Sequence, residues 1–292
     1  MDRDQRFLRL LALARSPFLS ARERILLADC ADCALHELSL EDIECICGRR
    51  HRDVRWEPRR LETEAERDLR WMSQSGTNAY SFFDPEYPPL LRETARPPFM
   101  LYVRGRLPDP CVPALAIVGT RYPTGRGLEA AARIARGAAS EAVPVVSGLA
   151  RGIDSAAHRG ALSGGGRTFA VIGRGLDRIY PVSNAALAAA IIASGGGIIA
   201  EYPPGIPPSR WTFPERNRII AGLCRSTLVA EAPAGSGALI TADFALEEGR
   251  DVYIAAELRG GPRSAGSDGL EADGAKAITA FEDIREDWRR VA

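Results

Sequence analysis

The chain is nearly devoid of lysine: Lys276 is the only one, and the remaining basic residues are arginine. It also lacks net charge, with 38 basic residues set against 38 acidic ones. That excludes a bulk polycation, so contact with a polyanion must come from a local cluster of charge. Arginine's planar fork suits bidentate phosphate contact and stacking, although genomic base composition accounts for most of the bias. Missing too is any apolar run approaching the roughly 18 residues that span a bilayer. The start, Met1-Asp2-Arg3-Asp4-Gln5-Arg6, carries both signs of charge and no signal-peptide core. These absences predict a soluble, cytoplasmic protein.

Two nucleotide motifs are also absent. A Walker loop needs GxxxxGK[ST], and no stretch supplies it. The dinucleotide fingerprint needs GxGxxG after a first strand, where this chain has Gly119-Thr120-Arg121-Tyr122-Pro123. Gly173-Arg174-Gly175 comes closer, but Arg178 stands in the place of the third glycine. Neither cofactor is supported. Asp154 and His158, four residues apart, are not accompanied by a serine or cysteine nucleophile in any recognisable motif. Asp154 reads as a helix N-cap and His158 as a packed or capping side chain. No catalytic group is assigned.

Cys30, Cys33, Cys45 and Cys47 lie near His36 and His51. A zinc site is one reading of them. The default is a set of small buried thiols in a reducing cell, because the spacing lacks paired knuckles and the segment reads as helix.

With 292 residues, 46% of them hydrophobic, the chain is long enough for two domains. Apolar residues recur at helical spacing up to about Met72, and Ser39 with Glu41 and Asp42 marks a further helix start. Residues 1–78 are expected to form a small helical domain. The turn-rich Asp84-Pro85-Glu86-Tyr87-Pro88-Pro89 follows, then a strand over Phe99–Val103. Strands are expected at Ala114–Val118, Val143–Ser147, Thr168–Ile172, Gly197–Ala200, Ser226–Ala230 and Asp251–Ala255. Helices are expected at Gly127–Ser140, Ile153–Leu162, Asn184–Ala193, Pro214–Leu223 and Ala238–Glu248. Short apolar strands alternating with helices imply a parallel sheet covered on both faces. Residues 79–292 are therefore expected to form an α/β, doubly wound, Rossmann-like domain.

Ligands of such sheets bind beyond the carboxyl ends of the strands. There the chain reads Gly119-Thr120-Arg121, Ser147-Gly148-Leu149-Ala150-Arg151-Gly152, Gly173-Arg174-Gly175 and Gly235-Ser236-Gly237. Glycine lets the backbone approach a ligand, and the next helix adds its positive end. Several such loops on one rim suit an extended, multiply phosphorylated ligand, although any one of them is also an ordinary tight turn. In Phe213-Pro214-Glu215-Arg216-Asn217-Arg218, Pro214 fits the first position of a helix. Arg216 and Arg218 would then oppose its dipole at roughly 0.3–1 kcal/mol each. Either a bound anion offsets that, or salt bridges to Glu215 or Glu201 do. Phe213 is either core or an exposed platform for a base.

Taken together, Tyr87-Pro88-Pro89-Leu90-Leu91, Ile117–Arg121, Ser147–Leu162, Gly173–Pro181, Glu201–Gly205, Phe213–Gly222 and Gly235–Ala242 resemble the DNA processing protein A (DprA, or Smf) family. The resemblance runs from about Asp84 to Ile278. It implies an extended Rossmann fold after a helical, SAM-like domain. It also implies single-stranded DNA binding, usually as a dimer, and help in loading RecA onto strands covered by single-strand-binding protein, in support of recombination and natural transformation. By the same resemblance Arg121, Ser147, Gly148 and Leu149 would hold phosphates, with Arg216, Asn217 and Arg218 alongside, and Phe213 would contact a base. The other rim residues expected to line the DNA site are Arg151, Gly173, Arg174, Gly235, Ser236 and Gly237.

Asp268 and Glu271 stand where the family usually has asparagine and isoleucine, and Ala255-Ala256-Glu257 replaces valine-proline-glycine. These departures bear on the dimer or partner surface rather than on the phosphate loops. The winged-helix domain that many relatives carry is expected to be absent. Its glycine-rich motifs also resemble the lysine-decarboxylase-like (LOG) nucleotide hydrolases. Those place a glutamate just after a glycine loop, where this chain has Gly237-Ala238-Leu239-Ile240-Thr241.

Overall fold

The computed structural model describes residues 2–30 and 33–290. Four helices come first: α1 (Arg3–Ala14), α2 (Ala21–Cys30), α3 (Leu40–Cys47) and α4 (Pro58–Ser75). Their ends follow local chemistry. Asp2 accepts the Gln5 N–H at α1, and Ser39 and Asp42 cap α3 reciprocally. Pro58 opens α4 and Gly76, in the left-handed region, closes it. Leu11, Leu13, Leu27, Ile43, Leu61 and Met72 pack into one core with Phe99, Met100, Tyr102 and Ile198 of the sheet. Arg15 ties the two parts together: it meets both carboxylate oxygens of Asp68 at 2.5 and 2.6 Å and donates to the Pro204 carbonyl at 2.8 Å.

The nine strands are β1 (Thr77–Ser81), β2 (Met100–Gly105), β3 (Leu115–Val118), β4 (Val145–Ser147), β5 (Thr168–Ile172), β6 (Gly197–Ala200), β7 (Ser226–Val229), β8 (Asp251–Ala255) and β9 (Lys276–Ile278). They form one sheet in the order β1-β2-β6-β5-β4-β3-β7-β8-β9. From β6 to β9 every neighbouring pair is parallel, which is the doubly wound core. The expected parallel sheet is extended on the β6 side by β2, antiparallel to β6, and then by the edge strand β1, antiparallel to β2. Residue 78, where a domain junction was expected, lies inside β1.

Alternation along the strands assigns the two faces. Ala116 and Val118 of β3 point into the core built on α5 (Pro89–Arg92), α9 (Thr212–Gly222) and α10 (Gly237–Glu247). Leu115 and Ile117 point the other way, onto α6 (Gly125–Ser140), α7 (Ile153–Ser163) and α12 (Phe281–Arg290). On that second face, α8 (Ala185–Ala193) and the first four helices cover the remaining strands. α11 (Ala265–Ala272) follows β8. Here the atypical residues serve local contacts. Asp268 accepts from Ser264 Oγ at 2.6 Å, Glu271 pairs with Arg259, and Glu257 pairs with Arg133 at 2.8 Å.

Helix α7 carries small residues at Ala156, Ala157, Gly160 and Ala161, and Gly160 packs closely on α6. A Cβ there would run into the backbone of Ala132. Gly160→Ala should therefore lower stability by roughly 1–3 kcal/mol, despite alanine's better helix propensity. Urea unfolding of wild type and variant measures this, and an unchanged midpoint would contradict the close approach.

Candidate nucleic-acid interface

The chain order reverses at β3: the connections run one way to β4, β5 and β6, and the other way through β7, β8 and β9. Ligands of open α/β sheets bind beyond the strand ends at this switch point. A cleft of about 540 Å³ lies there, walled by Gly119–Tyr122 after β3, by Phe213, Arg216 and Asn217 of α9, and by Pro233–Gly237 after β7. A smaller cleft of about 290 Å³ adjoins it and shares Arg121, Phe213 and Arg216.

The loop after β3 is fixed from below. Glu231, buried at the end of β7, accepts from the Thr124 N–H and hydroxyl, both at 2.8 Å, and Thr124 caps α6. Arg121 projects from this loop, exposed, with its guanidinium carbon 5.4 Å from the Phe213 ring centre. Among the described residues no ion pair holds Arg121, Arg151 or Arg210. Arg210 lies 4.6 Å over the ring of Trp211, which is 69% exposed. On the far side of the larger cleft, Gly235 has φ +72°, Ser236 Oγ caps α10, and Gly237 O accepts from Asn217 Nδ2 at 3.2 Å.

Other expected contacts turn inward. Ser147 is fully buried and donates its hydroxyl to Ile117 O at 2.6 Å. The Gly148 and Ala150 N–H groups are held by Asp154 Oδ2 at 3.1 and 3.3 Å, and the Leu149 side chain is fully buried. Asp154 is thus not the N-cap, a position that Gly152 fills. It sits in the first turn of α7 and reaches back to the loop, because that loop curls over the helix start. Arg216 is buried as well, donating to the carbonyls of Gly148 and Val171. Gly148 makes this possible, since a Cβ there would occupy the space of the Arg216 guanidinium. Burial pushes Arg216 down to about 10, with the Asp154 carboxylate opposing, so it stays charged at neutral pH. Burial pushes Asp154 up, against the pull of Arg216 and the two amides.

Helix α9 begins at Thr212 rather than at Pro214, which moves Arg216 and Arg218 beyond the first turn, where a dipole penalty fades. Arg218 meets both oxygens of Glu201 at 2.6 Å and Glu215 at 2.8 Å, and donates to Arg96 O. For Arg218 the salt-bridge alternative is the one observed, whereas Arg216 makes neither and is held by carbonyls. Gly173 is buried beneath Thr212, and Arg174 leans on Asp177 at 3.5 Å. Tyr122, Tyr180 and Arg210 also line these clefts, with Trp211 next to Arg210, and none of them belongs to the glycine loops that mark the rim in the sequence. Exposed aromatics interleaved with arginine were the available signal.

The expected buried thiols are mostly at the surface: Cys30 and Cys45 are exposed, Cys33 and Cys47 partly so, and Cys224 alone is buried among the described residues. No group of three potential metal ligands comes together among the described residues, and none of their helices is long and apolar enough to cross a membrane.

A family model for DNA recombination-mediator protein A matches residues 78–289. The chain belongs to that family. It is similar to Protein Smf of Synechocystis sp., with 51% identity over 174 residues, which cover 58% of this chain and 44% of that one. The chain thus spans less than half the length of that relative. It also resembles the X-ray structure of DNA processing protein A from Streptococcus pneumoniae. The identity is 35%, the TM-score 0.78, and 96% of each chain is covered. A DNA processing protein A structure from Helicobacter pylori, described for its single-stranded DNA binding mode, matches with 26% identity and a TM-score of 0.65. It covers 75% of this chain and 98% of that one. In this member of the family, the loops quoted from the sequence fall on the rim of the switch point.

His158, midway along α7, is fully buried, with Nδ1 2.7 Å from Thr168 Oγ1 at the start of β5. The Thr168 hydroxyl donates to Val145 O, so it accepts from His158 Nδ1–H. Burial, with Arg216 adding to it, holds the imidazole down at about 3, against an ordinary 6.5. Between those values the unfolded chain binds the extra proton and the folded chain does not. Stability is therefore lost as pH falls from 6.5 toward 3, by up to about 1.4 kcal/mol per unit. Asp154, raised by folding, works in the opposite direction. The informative quantity is thus wild type minus His158→Gln, measured by denaturant unfolding at several pH values. That difference should fall with decreasing pH below 6.5, and a flat difference would contradict the buried neutral ring.

Proposed function

We propose that the chain binds single-stranded DNA on the switch-point rim and acts as a recombination mediator without altering the strand chemically. The observation that carries this is Arg121. It is an exposed guanidinium with no ion pair among the described residues, resting on Phe213, at the mouth of a cleft faced by the glycine loop Gly235–Gly237. A phosphate finds a cation and a close backbone there, and a base finds an aromatic face. The family membership and the single-stranded DNA binding mode for which the Helicobacter pylori structure is described support the same reading. The contacts that reach solvent are Arg121, Arg151, Gly235 and Gly237, exposed, with Asn217 and Ser236 half-buried, while Ser147, Gly148, Leu149, Gly173, Arg216 and Arg218 support them from below. Arg174 flanks the rim. The proposal extends to residues 1–78 as a helical SAM-like unit, to a homodimer in the cytoplasm, and to loading RecA onto strands covered by single-strand-binding protein.

Fluorescence anisotropy with labelled oligothymidine and its duplex, across a salt series, tests the core of it. The single strand should bind more tightly, with log affinity falling linearly in log salt. Arg121→Ala should weaken that binding roughly tenfold and reduce the slope by about 0.7, the share of one phosphate contact on a single strand. Absence of binding at low salt would overturn the proposal.

A further inference from the structure

Arg210 lines the larger cleft and pairs with no carboxylate among the described residues. It lies on the stretch that leads from β6 to α9. Among the described residues, the polar contacts from Pro207 to Trp211 stay within that stretch or go to α9. Ser209 bonds with Trp211 and Thr212, and Trp211 O accepts from Glu215 N–H. The place of Arg210 is therefore set by the two ends of the stretch. At one end Arg216 and Arg218 bind α9 to the Gly148 carbonyl and to Glu201. The other end is the tight turn 203–206, in which Ile206 N–H donates to Pro203 O at 3.3 Å.

Three groups grip this turn, and they come from two parts of the chain. Gly175 N–H donates to Ile206 O at 3.0 Å, and Asp177 Oδ1 accepts from Gly205 N–H at 2.9 Å. The third is Arg15, at the C-terminal end of α1, whose Nη2 donates to Pro204 O at 2.8 Å. The same Nη2 meets Asp68 Oδ1 of α4 at 2.6 Å, so the guanidinium is aimed at the turn from the bundle side. Its charge is offset by Asp68 and Glu64. Arg15 thus brings little field of its own to the rim, and what it contributes there is position. Pro207 and Pro208 follow the turn directly. Proline fixes φ at about −65°, so the link from the turn to Ser209 has few soft dihedrals and carries a displacement onward.

We propose that Arg15 is a positioning residue for DNA binding. From the helical bundle it sets the height of the 203–206 turn, and so holds Arg210 where a phosphate in the larger cleft meets it. The inference rests on the proposed DNA binding at that cleft. It gives residues 1–78 a part in the binding without contact with the strand.

Arg15→Met combined with Asp68→Leu cuts the tie to the turn, leaves net charge unchanged and strands neither partner of the pair, so the fold should survive. Urea unfolding checks this, and Arg15→Ala takes its place if the paired variant unfolds early. Anisotropy with labelled oligothymidine across a salt series then compares the paired variant, Arg210→Ala and the two combined, on the intact chain. Arg210→Ala should weaken binding roughly tenfold and lower the salt slope by about 0.7, the share of one phosphate contact. The paired variant should show the same two changes, although neither of its side chains touches the strand. Combining the two should weaken binding no further than Arg210→Ala alone, because changes that act through one contact do not add. With Arg151→Ala, on a separate loop, the losses should multiply. Losses that multiply with Arg210→Ala as well would overturn the proposal, since the ion pair would then act on the fold at large. Wild-type binding in Arg210→Ala would overturn it too. Wild-type binding in the folded paired variant, with Arg210→Ala still defective, would overturn it and leave the DNA reading standing. Failure of wild type to bind oligothymidine would overturn both.

Discussion

Three buried side chains from separate parts of the chain satisfy the peptide groups of one loop, and the rim above the sheet is arranged around that requirement. Asp154 on α7 takes the N–H groups of Gly148 and Ala150, and Arg216 on α9 donates to Gly148 O. Asn184, ahead of α8, donates to Leu149 O and Ala150 O. A buried polar group left without a partner costs about 1–3 kcal/mol, more if charged. None of the three can move without stranding others, so α7, α8 and α9 are locked to one loop. Gly148 is part of the same constraint, since only a residue without Cβ leaves room for the Arg216 guanidinium. The site's preorganisation is thus set by residues that need not touch DNA at all.

This arrangement also explains how a chain with no net charge can present a basic rim. Many of its arginines are neutralised in place. Arg218 is clamped by Glu201 and Glu215, Arg15 by Asp68, and Arg133 by Glu257. Arg121, Arg151 and Arg210 are exposed, without carboxylate partners among the described residues. The field a polyanion meets depends on these few and not on the total. Two of the three also lie over aromatic rings, Arg121 over Phe213 and Arg210 over Trp211. Cation–π contact holds such a side chain in position without neutralising it.

The strands that build the switch point were legible because they are short, apolar and buried on both faces, as parallel strands are. β1 and β9 escaped for the opposite reason. Thr77-Asn78-Ala79-Tyr80-Ser81 is a polar edge, and Lys276-Ala277-Ile278 is too short to show a period. Among the rim residues, the glycine loops could be read from motif and position. The division into exposed contacts and buried supports could not. Glu201 could be named as a partner for Arg218, but that Arg216 turns inward to the carbonyls of Gly148 and Val171 depends on how the fold brings those loops together. Asp154 resembled an N-cap because caps and first-turn acids occupy nearly the same place; what separates them is the path of the preceding loop. Tyr180 gave no periodic signal, being in an irregular segment whose geometry depends on Asn184.

Leu149 draws these threads together. Its backbone is left-handed, with φ +58°, a conformation that costs a non-glycine residue roughly 1 kcal/mol or more. Such strain persists only where the surroundings over-determine it, and the flanking peptide groups here are fixed by Asp154, Arg216 and Asn184 together. The reversal sends the Leu149 side chain into the core shared with the N-terminal helices. It leaves the next two residues, Ala150 and Arg151, lining the smaller cleft. A glycine at 149 would relieve the strain but remove the apolar anchor, and the loop would be held by hydrogen bonds alone. The leucine thus couples the packing of the helical bundle to the position of a rim arginine, through a single turn of chain.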